Sequence, residues 1–255
     1  MGPIALAFLS VTVVSAVSLA GLLTLSMSEA RVRRLATFFV SFAVGALLGD
    51  TFIHLLPEVF AGARGRDALR ESMLILAGIL LFFIVEKLLL HEHGLLHRHH
   101  HGEVLARPEL AAVNILGDAI HNYIDGLLIG ASWLVSLELG ISTTLAVLLH
   151  EIPQEMADFG ILIHSGLTVR KAVLLNAASA AVAIIGTATA VLAGAVAHER
   201  VTGLLVPLTA GGFVYIAAAD LIPELQHDRS LRALLLQTTL ISGGIIVMAL
   251  LTFVG

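Results

Sequence analysis

Cysteine is absent from all 255 residues, which excludes disulfides, thiolate metal ligands and cysteine nucleophiles together and says nothing of the redox compartment. Charge is scarce: 13% of residues are Asp, Glu, Lys or Arg, about half the share of a soluble domain. The formal net charge of −5 is spread among short segments, so there is neither a basic patch for nucleic acid nor an acidic block for a cationic partner. Aromatics make up 5%, with one tryptophan. What fills the chain instead is aliphatic: 58% hydrophobic residues and a mean hydropathy of +0.97. That balance belongs to an integral membrane protein with the lipid bilayer as its solvent, a single polytopic unit over residues 1–255. Residues 1–27 carry no charge and no basic n-region, and read as a retained first span.

A spanning helix needs about 20 apolar residues. On that measure the sequence predicts an all-α fold with eight transmembrane helices near 4–27, 35–60, 72–90, 110–137, 141–165, 172–197, 203–225 and 233–253. Basic residues set the orientation. With both termini outside, cytoplasmic connections hold Arg31, Arg33, Arg34, Lys87, Arg98, Arg107, Arg170, Lys171, Arg229 and Arg232, ten of the fourteen. An internal echo joins span two to span seven: LLPEV at 55–59 and LIPEL at 221–225, preceded by Asp50 and Asp220. Such an echo is what an inverted repeat leaves behind.

Two stretches break the apolar pattern: GDAIHNYIDGLLIG at 117–130 and LLHEIPQEMADFG at 148–160. A charged side chain at mid-bilayer costs roughly 2.5–3.5 kcal/mol even on a lenient scale. At about 100° per residue, Asp118, His121, Asn122 and Asp125 share one arc of a helix, and His150, Glu151, Gln154, Glu155 and Asp158 share another. Two facing stripes of imidazole, amide and carboxylate make a cage for a divalent cation in a dry medium. Interhelical hydrogen bonds return only about 0.6 kcal/mol each on average, too little to account for so many polar groups. Pro153 adds a released carbonyl at Leu149.

Around that core, His54 and Asp50 on span two complete the site or line the way to it, Asn176 on span six is a helix-contact residue or a lining of the transport pathway, and Asp220 and Glu224 stand near the inner end of span seven as exit-side ligands or interfacial charges. The tract HEHGLLHRHHH, with His91, His93, His97, His99, His100 and His101, opens a cytoplasmic loop over about 91–108 suited to loose capture of transition metals. Gly45, Gly49, Gly126 and Gly130 are spaced for close helix contact, and Trp133 reads as an interface anchor. Two rivals are an intramembrane metal-dependent hydrolase and a metal-sensing membrane protein. The hydrolase needs H-E-x-x-H, and position 154 is glutamine; the sensor leaves the buried groups unexplained.

HNYID followed by GLLIGAS, HEIPQEMADFGILIHSG followed by TVRKAVLLNAASA, the HLLPE string of span two and the YIAAADLIPEL string of span seven resemble the ZIP metal-ion transporters, closest to their LIV-1 subfamily. The resemblance covers all eight spans. It implies an inverted-repeat bundle, N-out and C-out, often a homodimer, moving zinc or the related ions Cd²⁺, Fe²⁺ and Mn²⁺ toward the cytoplasm, in the inner membrane if the source is bacterial. It also implies a metal centre between helices four and five with room for two ions; carried over residue by residue, His121, Asn122 and Asp125 are its ligands from helix four and His150 and Glu151 from helix five. The departure is Gln154, where the subfamily has histidine; an amide is the weaker zinc ligand.

Overall fold

The computed structural model describes residues 2–25, 27–61, 63–97, 108–226, 228 and 230–253. Eight long helical stretches follow one another among them: α1 (Pro3–Ala20), α2 (Arg34–Phe60), α3 (Arg66–His97), α4 (Pro108–Val135), α5 (Leu137–His164), α6 (Val169–Ala197), α7 (Glu199–Leu225) and α8 (Leu231–Leu251). Six of them, all but α4 and α5, are long and apolar enough to cross a membrane. α4 and α5 have the length, 28 residues each, but carry Asp118, Asp125, Glu151, Glu155 and Asp158 in their middles. α6 and α7 are separated by a kink at Ala197 (φ −148°, ψ 55°).

α3 runs further than its sequence suggests. Its backbone stays helical through His97, so His91, His93 and His97 begin as helix and not as loop. Leu88, Leu89, Leu90, Glu92, Leu95 and Leu96 are good helix formers, and they outweigh Gly94. The side chains of those three histidines, and all of His99, His100 and His101, lie outside the described residues.

Close backbone approach holds the bundle together. A β-carbon on Gly126 would stand 1.9 Å from the Ala183 carbonyl oxygen, and one on Gly186 would stand 2.1 Å from that of Tyr123. α4 and α6 therefore meet backbone to backbone. Gly45 and Gly244 do the same for α2 and α8, at 2.0 Å from Ile241 O and 2.4 Å from Phe42 O. Membrane helices associate through such packing because lipid gives apolar side chains no reason to leave it. Outward-facing Leu76, Leu80, Leu192, Leu235 and Ile246 are exposed accordingly.

Two further features position the polar groups. Ser136 alone connects α4 to α5; it is extended (φ −156°, ψ 163°) and its Oγ accepts from Leu139 N, capping the new helix. The helices run back along each other: Asn114 meets Asp158, each 22 residues from Ser136. The second feature is a pair of π-helical segments, Asp50–Leu55 in α2 and Ile216–Leu221 in α7. Each is followed by a Pro-Glu pair, Pro57-Glu58 and Pro223-Glu224. Proline offers no N–H to the carbonyl four residues back, and a one-residue bulge absorbs the mismatch. The sequence echo thus recurs as the same backbone irregularity.

Trp133 is not an interface anchor. It is buried, its indole N–H donates to Ser10 Oγ and Thr144 Oγ1 at 3.1 Å each, and its ring covers Gly140. A single N–H reaching hydroxyls on α1 and α5 makes it a tie across the hairpin.

Candidate metal centre

The α4–α5 hairpin brings the two polar stripes face to face. His121, Asp125, His150 and Glu151 each present one atom to a common point, all four within 4.8 Å of one another. His121 Nε2 lies 3.3 Å from His150 Nε2, 3.8 Å from Asp125 Oδ2 and 3.7 Å from Glu151 Oε1. His150 Nε2 lies 3.0 Å from Asp125 Oδ2 and 3.9 Å from Glu151 Oε1. Asp125, His150 and Glu151 are buried and His121 is partly so.

Orientation of His150 follows from its other nitrogen. Nδ1 stands 3.1 Å from Ala146 O, one turn back on α5. A carbonyl only accepts, so Nδ1 is the donor there, and in the neutral imidazole Nε2 is the nitrogen left to offer a lone pair to the cluster. Asp125 Oδ1 and Oδ2 and Glu151 Oε1 are buried without a hydrogen-bond partner. Unpaired carboxylate oxygens in such a setting cost several kcal/mol unless a cation meets them. Two imidazole nitrogens bound to one tetrahedral zinc at about 2.0–2.1 Å stand about 3.3–3.4 Å apart. The spacing of His121 and His150 fits that figure.

The other residues singled out in the sequence fall on either side. Toward the Ser136 end, His54 Nδ1 is 3.4 Å from Asp50 Oδ1 and His54 Nε2 is 3.4 Å from Glu138 Oε1, while Thr143 Oγ1 donates to Asp50 Oδ2 at 3.2 Å. This group, tying the π segment of α2 to α5, is separate from the four-residue cluster. It borders a cavity of about 230 Å³ lined by His54, Glu58, Ser136 and Glu138. Toward the other end, Asn122 Nδ2 donates to Asp118 Oδ1 at 2.9 Å, leaving its carbonyl oxygen as the only atom it can offer an ion. Gln154 also faces Asp118. Asn176 donates to Glu155, Ser179 donates to Asp118, and Asn114 donates to Asp158 at 2.9 Å.

Glu155 is not part of the four-residue cluster. Glu224 is exposed near the end of α7, and the side chain of Asp220 lies outside the described residues. Glu138, Thr143 and Asn114 were not foreseen. Glu138 sits in the first turn of α5, where an acidic residue is ordinary helix chemistry; Asn114 is one turn before Asp118, so a stripe extended by four residues finds it.

The ZIP zinc transporter family model matches residues 1–95 and 90–252. The chain belongs to this family. Among its relatives, zinc transporter ZIP13 of Pongo abelii is 35% identical over 83% of this chain and 65% of its own length, and ZIP13 of Homo sapiens is 35% identical over 89% and 73%. Zinc transporter SLC39A7 of Homo sapiens is 31% identical over 90% and 66%. This ZIP chain therefore spans about two thirds to three quarters of the length of those relatives. The resemblance carried by HNYID and HEIPQ is borne out, and family and helices together make the chain a multi-pass membrane protein.

Proposed function

We propose that this ZIP chain carries a divalent transition-metal ion across a bilayer toward the cytoplasm, zinc first, with Cd²⁺, Fe²⁺ and Mn²⁺ within the same chemistry. The ion is cargo, held in transit by His121, Asp125, His150 and Glu151, with Asn122 and Gln154 beside them. The carrying observation is the convergence of those four ligand atoms within 4.8 Å in the interior of the bundle. The relatives are named zinc transporters, and the H-E-x-x-H of a hydrolase is broken at Gln154.

In this reading all eight helices cross. α4 and α5 are about 42 Å long at 1.5 Å per residue, more than the roughly 30 Å hydrocarbon layer, and their charges face each other. Both termini lie outside, and the two π-bearing helices are inverted-repeat counterparts. The ion arrives at Asp50, His54 and Glu138, passes the four-residue centre, and leaves along Asp118, Glu155, Asp158 and Asn176 toward Asp220, Glu224 and the histidine tract. A homodimer belongs to the same proposal.

The test is metal uptake into proteoliposomes, with Zn²⁺, Cd²⁺, Fe²⁺ and Mn²⁺ each supplied alone. His150→Ala should lower zinc flux by at least about tenfold, as loss of a metal-site group does. Equal flux in wild type and variant would overturn the site.

A further inference from the structure

The four-residue centre does not hold its own helices together. Asp125 Oδ1 and Oδ2 and Glu151 Oε1 are buried without hydrogen-bond partners, and until a cation arrives the two carboxylates push α4 and α5 apart. Backbone contact at Gly126 fixes α4 against α6, not against α5. Yet His121 Nε2 stands 3.3 Å from His150 Nε2, and a slip of one residue along either helix, about 1.5 Å, would spoil that spacing. The register has to be set by groups outside the centre.

Near the Ser136 end of the hairpin, Trp133 meets α5 in a closed loop of contacts. Its indole N–H donates to Thr144 Oγ1 at 3.1 Å, and Thr144 Oγ1 donates in turn to Gly140 O at 2.6 Å. The ring itself lies on Gly140, where an added β-carbon would stand 2.3 Å from Trp133 Cδ2. Residues 140 and 144 are one turn apart, so the indole engages a full turn of α5 and accepts a single axial position on it. A second acceptor, Ser10 Oγ at 3.1 Å, draws α1 into the same joint. Trp133 is 6% exposed, and an indole is flat, stiff and equipped with one donor, which suits it to fixing position.

We propose that Trp133, seated on Gly140 and bonded to Thr144, is the positioning residue that sets the α4–α5 register and so brings His121 and Asp125 to His150 and Glu151. It acts at a distance. Asp125 is eight residues from Trp133 along α4 and His150 six residues from Thr144 along α5, about 12 Å and 9 Å. Asn114 and Asp158, bonded at 2.9 Å, tie the hairpin on the far side, so the centre lies between two joints. Groups that orient metal ligands from outside the shell change affinity by about ten- to a hundredfold. This inference rests on the reading of the four-residue cluster as the zinc site.

The test uses purified full-length protein with zinc as probe. Trp133→Phe keeps a ring and removes the N–H. It should elute from gel filtration as wild type does, bind zinc at least tenfold more weakly, and show fewer than two imidazoles in the zinc-edge X-ray absorption spectrum. Thr144→Val should do the same, and Thr144→Ser should keep wild-type affinity. Trp133→Phe/Thr144→Val should bind no more weakly than either single variant, since both break one joint. Wild-type affinity and shell in both Trp133→Phe and Thr144→Val would overturn the positioning role. Reduced folded yield with the two-imidazole shell intact in the folded fraction would mark a merely structural contact and overturn it equally. A wild-type shell without imidazole would strike the zinc site itself and this inference with it, whereas an intact wild-type shell indifferent to both substitutions strikes this inference alone.

Discussion

Asp125 offers two buried carboxylate oxygens and receives no hydrogen bond on either, a few ångströms from a second carboxylate on Glu151. Without a cation the two repel; with one they become ligands. Asp125→Asn should therefore make the metal-free protein melt at a higher temperature than wild type while abolishing the upward shift that zinc gives. For wild type that shift corresponds to about 2.7 kcal/mol at a hundredfold excess over Kd, read by thermal scanning with and without zinc. A variant that melts lower without metal and keeps the zinc shift would contradict the ligand role. Glu138 tests the outer group in another way: Glu138→Ala should raise the KM for zinc severalfold and leave the maximal rate near wild type, since capture and not release is affected. These residues also mark how far sequence carries. His121, Asp125, His150 and Glu151 stand out because an apolar span has no other use for them. Glu138 did not stand out, because an acidic first turn is what any helix offers, and only the fold brings it to His54.

Helix by helix, the polar stripes were visible at a 3.6-residue period, and the positions of α2, α4, α5 and α6 followed to within a few residues. The π segments were not visible, since a one-residue bulge shifts the stripe without altering composition. Their role can be measured. Deleting Ile53 from Asp50–Leu55 should restore regular helix and turn His54 by about 100° relative to Asp50, so zinc uptake should fall severalfold with the folded yield kept. Uptake at the wild-type level would mean that the bulge does not position His54. The glycine contacts predict the opposite combination. Gly126→Val puts a branched side chain where 1.9 Å separates a β-carbon from Ala183 O, and overpacking of this kind costs about 1–3 kcal/mol or more. Folded yield by gel filtration should drop; unchanged yield would mean that α4 and α6 can part cheaply.

At the scale of the whole molecule, the absence of cysteine makes topology unusually accessible, because any introduced thiol is the only one. Arg64→Cys, between α2 and α3, should react with an impermeant reagent added outside; Lys171→Cys, at the start of α6, should react only when the membrane is opened. Reaction of both from the same side would refute eight crossings. Orientation could be argued from basic residues, but Trp133 shows the limit of such positional rules: an aromatic near a span end was pulled inward by two hydroxyls on neighbouring helices. The central claim is that His121, Asp125, His150 and Glu151 surround the transported ion, and zinc-edge X-ray absorption of the loaded protein tests it most directly. A shell of nitrogen and oxygen at about 2.0–2.1 Å with two imidazoles, losing both in His121→Ala/His150→Ala, is the expected result. A shell without imidazole, or one that the double substitution leaves unchanged, would contradict it.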